Sequence, residues 1–309
     1  MLMAVWAFVF PGQGAQTVGM GKALAEAHPE AMAVWDEAER SLGIPLKEIA
    51  WSGPAETLTR TDIAQPALLT ASIATLRVLE RLGWSPNATA GHSLGEYSAL
   101  VAAAALRFSD AVKVVRTRGE AMQKAAEASG GGMAAVLGAS NEALAALCRE
   151  IGDIVPANIN APGQVVVSGS EAGLAALDAR RKEIGARRVA RLTVAGPFHS
   201  PAMAPAADAV RDALNIIAIQ DPVCSVYANV TARQEWTSAE VRANLIAQVT
   251  GQVRWEETVL NMCADGHNHF VEVGPGSVLA GLIRRISADA VVHSVGDPES
   301  LEAFRAAAQ

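Results

Sequence analysis

A chain of 309 residues, 50% hydrophobic and 18% charged, is long and apolar enough to bury a full core, which excludes a disordered polymer and leaves room for one large domain or two smaller ones. Its formal net charge of -7 excludes the broad basic surface that nucleic-acid and anionic-membrane binders use, so an acidic partner must find a local basic patch. The cysteines Cys148, Cys224 and Cys263 are odd in number and scattered, a pattern of reducing compartments rather than of a disulfide framework, and a soluble protein of the cytoplasm is expected.

The first ten residues, MLMAVWAFVF, lack a basic leader and a small-residue cleavage site and run straight into Pro11-Gly12, so 5–10 is expected to be a buried strand rather than a signal. No uncharged apolar run approaches the roughly 18 residues that span a bilayer. Helical periodicity occupies 70–82, and the alternation of β-rich and helical stretches predicts an α/β fold with a mostly parallel sheet. A break at Gly130-Gly131-Gly132 reads as a joint. Beyond it come strand 133–137, helix 141–150, strands 154–158 and 164–168, helix 171–184 and strand 188–194, the βαββαβ order of a ferredoxin-like unit. Further strands are expected near 223–227, 270–273 and 291–295. The expected organisation is therefore a discontinuous large domain, 1–129 and 196–309, with a small ferredoxin-like domain, 130–195, inserted in it.

Gly91-His92-Ser93-Leu94-Gly95 has the G-x-S-x-G form, preceded by a short strand segment and followed by an apolar helical run over 96–106. A five-residue pattern occurs by chance, but at a strand-to-helix turn it projects the serine hydroxyl, and the flanking glycines permit the crowded backbone. The Leu94 amide opens a helix N-terminus, where it can stabilise an oxyanion. Of six histidines, His28 and His293 have no catalytic context, and His92, next to the serine, is expected to bond nearby backbone. His199, in Gly196-Pro197-Phe198-His199-Ser200, falls where the small domain hands back to the large one and is the preferred base, against the alternative of a loop histidine without a role. Cys263, His267, His269 and Glu272 offer metal-ligand chemistry, but C-x₃-H-x-H is not a common zinc spacing and a solvated loop explains it as well; no metal is expected.

The helix expected to start at Ser109-Asp110, with Ser109 as its cap, carries Ala111, Val115, Arg118 and Met122 on one narrow stripe, while Lys113 and Arg116 point elsewhere. An inward guanidinium needs an anion. Two partners stay open: a structural carboxylate, or the carboxylate of a dicarboxylic acyl substrate such as malonyl, held bidentately. The loop Pro11-Gly12-Gln13-Gly14-Ala15-Gln16 fails as a dinucleotide fingerprint because position 17 is Thr17; it can instead bring the Gln13 amide beside the serine as a second oxyanion donor.

Together the PGQGAQ opening, GHSLGEYSAL, the arginine of Arg116-Thr117-Arg118-Gly119, NAPGQVVVSG from Asn160, FHS at Phe198 and VGPG from Val273 resemble the malonyl-CoA:acyl carrier protein transacylases of fatty acid synthesis and the acyltransferase domains of polyketide synthases. The resemblance covers nearly the whole chain. It implies an α/β-hydrolase-like large domain with a ferredoxin-like insert, Ser93 as acylated nucleophile, His199 as base, Arg118 as malonyl clamp and the Gln13 and Leu94 amides as oxyanion hole. By the same likeness Gln248 supplies a backbone carbonyl that orients the histidine, Met122, Met133 and Asn160 line the pocket, and Phe198 marks a malonyl-selecting rather than methylmalonyl-selecting form. The implied reaction is ping-pong: malonyl passes from malonyl-CoA to Ser93 and on to the phosphopantetheine thiol of acyl carrier protein, with no cofactor. Carrier proteins are acidic, so Arg180, Arg181, Lys182, Arg187, Arg188 and Arg191 are the candidate docking patch, against the alternative of a solvated helix face. Competing readings are a serine hydrolase or thioesterase, a carrier-binding scaffold with a relic site, and the same chemistry in a polyketide or malonate decarboxylase system.

Overall fold

The computed structural model describes residues 5–308; Met1 to Ala4 of the apolar opening lie outside the described residues. The fold is mixed α/β with two sheets. The larger contains β1 (Trp6–Phe10), β2 (Ala88–Gly91), β7 (Ser225–Tyr227), β8 (Gln234–Glu235), β9 (His269–Val273) and β10 (Val291–Val295), in the order β10-β9-β1-β2-β7-β8. All pairs are parallel except β7 with β8. β1 is buried along its whole length between β2 and β9, which is why its sequence is a continuous apolar run rather than an alternating one.

Chain connections leave β1 toward β2 and β7 on one side and return to β9 and β10 on the other, so β1 marks the switch point where crevices form at the carboxyl ends of strands. Phe10 pairs with Gly91, so the Gln13 loop and the Ser93 turn emerge side by side.

The smaller sheet is antiparallel: β3 (Gly132–Leu137), β4 (Ile154–Ala161), β5 (Gln164–Gly169) and β6 (Arg188–Arg191), in the order β4-β5-β3-β6. Helices Asn141–Ile151 and Glu171–Arg180 cover it, capped by Ser140 and Ser170 and packed through Leu144, Leu147, Leu174 and Leu177 on Val136, Val165 and Val167. Mutual hydrogen bonds between Ala157, Ile159 and Val253 tie this sheet to the larger unit.

Several expectations need correction. The helix expected at 70–82 spans Thr61–Arg81, with Pro66 inside it. Pro66 reads as a stop because it cannot donate to the Asp62 carbonyl. In the fold Arg116 Nη1 donates to that carbonyl instead, at 2.7 Å, so the helix runs on through the proline. The next long helix is Phe108–Ser129; Arg107 occupies its N-cap, so Ser109 lies inside the helix and does not cap it. The final strand of the small sheet ends at Arg191, and the helix expected over 96–106 is Gly95–Ala102. The helix expected over 171–184 breaks into a 3₁₀ turn at Arg181–Ile184. Among the described residues no helix is long and apolar enough to cross a membrane.

Candidate active site

Ser93 sits between β2 and helix Gly95–Ala102 with φ of 51°, a left-handed conformation that a non-glycine residue holds only where its surroundings over-determine it. The neighbouring glycines make the turn possible. A Cβ on Gly91 would stand 1.9 Å from the Gly95 backbone, and one on Gly95 would stand 2.1 Å from the Phe10 carbonyl. The strained serine is held by Asn229, whose Oδ1 accepts the Ser93 N–H at 2.7 Å while its Nδ2 donates to the Gly91 carbonyl at 2.6 Å.

Ser93 Oγ lies 2.7 Å from His199 Nε2. His199 is buried and also left-handed, with φ of 55°. Its Nδ1 faces two acceptors, the carbonyls of Gln248 at 2.9 Å and Gly251 at 3.1 Å, so Nδ1 carries the proton and Nε2 keeps the lone pair toward the serine hydroxyl. Burial, assisted by the Arg118 charge, pushes His199 down to about 3 and keeps the imidazole neutral. A hydroxyl facing a neutral, oriented imidazole can be deprotonated as it attacks an acyl carbon.

Arg118 is 1% exposed. Its Nη1 donates to Gln65 Oε1 at 2.7 Å, and its Nη2 to Gln248 Oε1 at 2.9 Å and Ser93 Oγ at 3.1 Å. Its Nε has no partner among the described residues, and the Tyr97 ring lies beneath it with the centroid 5.8 Å away. Two amide oxygens therefore hold the cation where a structural carboxylate might have stood. Of the two partners open for it, no internal acid makes an ion pair with it among the described residues; the charge of buried Glu96 acts on it from across the Gln248 amide, which bonds both. The backbone amides of Gln13 and Leu94 donate to no protein acceptor among the described residues. Arg118 carries positive charge into a crevice of about 140 Å³ lined by Gln13, Ser93, Leu94, Met122, Met133, Phe198 and His199.

One expected pocket residue stands elsewhere. Asn160 does not line the crevice; its Oδ1 meets His92 Nε2 at 2.8 Å from behind. His92 thus bonds a side chain 68 positions away rather than nearby backbone, and its ring packs on Trp255. Gln248 is fully buried behind Arg118, where its carbonyl meets the histidine and its amide bonds Arg118, the Ser93 carbonyl and Glu96. Of residues 192–194, expected in a strand, Leu192 still donates to the Met133 carbonyl at 3.0 Å, the chain then leaves the sheet, and all three line the crevice. Sequence reasoning missed Asn229, Glu96 and Gln65. Glu96, an acid in the first turn of the elbow helix, carried a readable signal; Asn229 and Gln65 carried none.

Around the doubtful metal cluster, Glu272 accepts the Leu279 and Ala280 amides, and no group of three His, Cys, Asp or Glu among the described residues is arranged to hold an ion. The basic cluster is half neutralised: Arg180 pairs with Glu150 and Glu183, Arg181 with Asp178, and Arg191 with Glu171. Lys182, Arg187 and Arg188 have no carboxylate partner among the described residues.

The acyl transferase domain family model matches residues 7–298. The chain is 45% identical to the malonyl CoA-acyl carrier protein transacylase of Bacillus subtilis over 304 residues, 97% of this chain and 96% of that one. The solved acyl carrier protein S-malonyltransferase of Vibrio cholerae superposes with a TM-score of 0.94 at 41% identity, covering 97% of this chain and 100% of that one. A malonyl-transacylase solved in complex with a type II PKS acyl-carrier protein superposes with a TM-score of 0.93 at 39% identity, covering 97% and 98%. A serine held by an oriented imidazole, a buried arginine beside it and likeness over nearly the whole length agree: the chain is an acyltransferase and belongs to the family of malonyl CoA-acyl carrier protein transacylases.

Proposed function

We propose that this chain transfers a malonyl group from malonyl-CoA to the phosphopantetheine thiol of an acyl carrier protein through an ester on Ser93, supplying fatty acid synthesis in the cytoplasm. The observation that carries the reading is the meeting of three groups on one atom: Ser93 Oγ lies 2.7 Å from His199 Nε2 and 3.1 Å from Arg118 Nη2.

His199 Nε2 takes the Ser93 proton as Oγ attacks the thioester carbonyl, and the Gln13 and Leu94 amides receive the developing oxyanion. The imidazolium returns the proton to the departing coenzyme A sulfur. The carrier thiol then gives its proton to the same nitrogen, attacks the ester and regenerates the serine. The Gln248 and Gly251 carbonyls orient the base, so no aspartate is needed in the third role. Arg118 clamps the malonyl carboxylate and fixes the acyl group against attack by water. Met122 and Met133 line the acyl pocket, and the buried Phe198 ring crowds a 2-methyl branch. No cofactor takes part, coenzyme A being the carrier of the substrate.

The strand order of the smaller sheet supports a ferredoxin-like small domain, 130–195, inserted into an α/β-hydrolase-like large domain, 1–129 and 196–309. Of the basic cluster, Lys182, Arg187 and Arg188 are the members free to meet an acidic carrier; at about 3.3 Å per residue Arg188 stands roughly 13 Å along β6 from the crevice mouth at Leu192.

Intact-mass measurement after incubation with malonyl-CoA tests the reading. The wild type gains one malonyl adduct that holo-acyl carrier protein removes onto its own thiol, and Ser93→Ala gains none. Prompt release of free malonate without carrier contradicts transfer, and absence of an adduct contradicts the ester.

A further inference from the structure

The polar assembly behind the crevice has a hub to which the steps above assign no task. Glu96 is fully buried, and its Oε2 accepts two hydrogen bonds, from the Asn229 N–H at 3.0 Å and from Gln248 Nε2 at 2.8 Å. Both donors are also fixed on the nucleophile: Asn229 Oδ1 takes the Ser93 N–H, and Gln248 Nε2 reaches the Ser93 carbonyl at 2.8 Å. An amide has one donating and one accepting side, so anchoring the Gln248 NH₂ on an anion turns its oxygen toward Arg118, which it meets at 2.9 Å. The flipped amide would set NH₂ against guanidinium.

A second carboxyl stands behind the first, since Asn244 and Gln248, whose amides donate to Glu235 and Glu96, lie one turn apart on one face of helix Ser238–Gln248. Glu235 in β8 is 1% exposed; its Oε2 accepts from Asn244 Nδ2 at 2.7 Å, and its Oε1, like that of Glu96, is buried without a partner. Two neighbouring buried carboxylates with one cation in reach cannot both stay charged. The groups facing them decide where the proton rests. Glu96 has two N–H donors, the N-terminal turn of its helix, and Arg118 from helix Phe108–Ser129, with Tyr97 beside it on its own helix. Glu235 has one donor and faces two acids, Glu96 and Glu240 of helix Ser238–Gln248.

We infer that Glu96 is a positioning residue for acyl transfer: it is the first of the pair to ionise while Glu235 holds the proton, and through the Gln248 amide it aims the Arg118 guanidinium into the crevice. Burial raises both carboxyls, Glu96 to about 7 and Glu235, which the Glu96 charge raises further, to about 8, so Glu96 ionises across neutral pH and Glu235 only above it. The second buried charge then competes for Gln248 and Arg118 and slows acylation. The inference rests on the proposed role of Arg118.

The test compares Glu96→Gln with Glu235→Gln, measuring acylation of Ser93 by malonyl-CoA and by acetyl-CoA across pH, thermal unfolding, and the infrared carbonyl band of a protonated carboxylic acid. Loss of a charge-assisted hydrogen-bond hub lowers kcat/KM for malonyl-CoA by about 10- to 100-fold in Glu96→Gln and narrows its preference over acetyl-CoA. Glu235→Gln, which mimics the protonated acid, stays within about threefold of wild type at neutral pH, loses the alkaline decline and loses one infrared acid band. The inference is overturned if Glu235→Gln falls as far as Glu96→Gln at neutral pH, if it keeps the alkaline decline, or if the acid band survives in it. Should Glu96→Gln fail to unfold cooperatively, the Glu235→Gln profile and band decide alone. A wild type that malonyl-CoA never acylates sinks the proposed function instead, and the infrared band still tests where the proton sits.

Discussion

The crevice has two unlike walls. On the side of the parallel sheet, Ser93, His199, Arg118, Gln248 and Asn229 are joined by direct hydrogen bonds, and all but the serine are buried. On the side of the antiparallel sheet, Met133, Leu192 and Val194 offer apolar surface, and Leu192 is 38% exposed. The polar wall carries strain, since both Ser93 and His199 are left-handed, and the network around them holds that strain in place. Chemistry that depends on tenths of an ångström sits on the wall that cannot relax, while among the described residues the opposite wall makes no hydrogen bond to the serine, imidazole or guanidinium.

The contrast predicts how damage should be graded. His199→Ala removes the imidazole that meets Ser93 Oγ and is expected to lower acylation by roughly 10⁴-fold or more, measured as the rate of adduct formation. Asn229→Ala leaves the Ser93 N–H and the Gly91 carbonyl unpaired in the interior; it is expected to cost about 2–4 kcal/mol in urea unfolding and to slow acylation with the substrate KM little changed. A KM effect without a stability effect would move Asn229 from support to substrate contact.

Acidic pH sharpens the same point. His199 is held far below the ordinary imidazole value of 6.5, so no acid limb of acylation is expected from the imidazole; a limb near 7 belongs to Glu96 and is expected to vanish in Glu96→Gln. The unfolded chain binds a proton on His199 below 6.5 that the folded chain refuses until about 3, so this residue's contribution to stability is present above 6.5 and declines across that window. A kinetic pKa near 6.5 in kcat/KM that persists in Glu96→Gln would mean that the imidazole is open to water. The smallest effect belongs to the far surface: Arg187→Glu with Arg188→Glu is expected to raise the KM for carrier protein by about 3- to 10-fold and to leave that for malonyl-CoA unchanged. An unchanged carrier KM removes the docking proposal.

What the sequence made legible follows the same division. The Ser93 turn could be read because its glycines are local requirements, and Arg118 because a charge on an apolar stripe is a local contradiction that only a buried anion or acceptor resolves. The strands were readable from apolar runs and turn residues except β8, whose Gln234-Glu235 carries no such run. What stayed hidden depends on partners distant in the chain. Nothing near Pro66 announces that Arg116 will satisfy the carbonyl it orphans, and nothing near Asn229 announces a serine 136 positions away. Ser109 resembles a cap in sequence, yet the helix begins one residue earlier, and Thr193 and Val194 have strand composition but lie past the end of the sheet, lining the crevice. Asn160 was readable as part of the site but not as the support behind His92, because that contact exists only after the two sheets meet.

The most direct test of the convergence of Ser93, His199 and Arg118 is a competition. Wild type and Arg118→Ala are each offered equimolar malonyl-CoA and acetyl-CoA, and the two adducts on Ser93 are counted by intact mass. The account predicts a wild type that carries malonyl by a margin on the order of 10²-fold or more and a variant in which that margin collapses toward unity. Equal labelling of the wild type by both thioesters, or a variant that keeps the full preference, would contradict it.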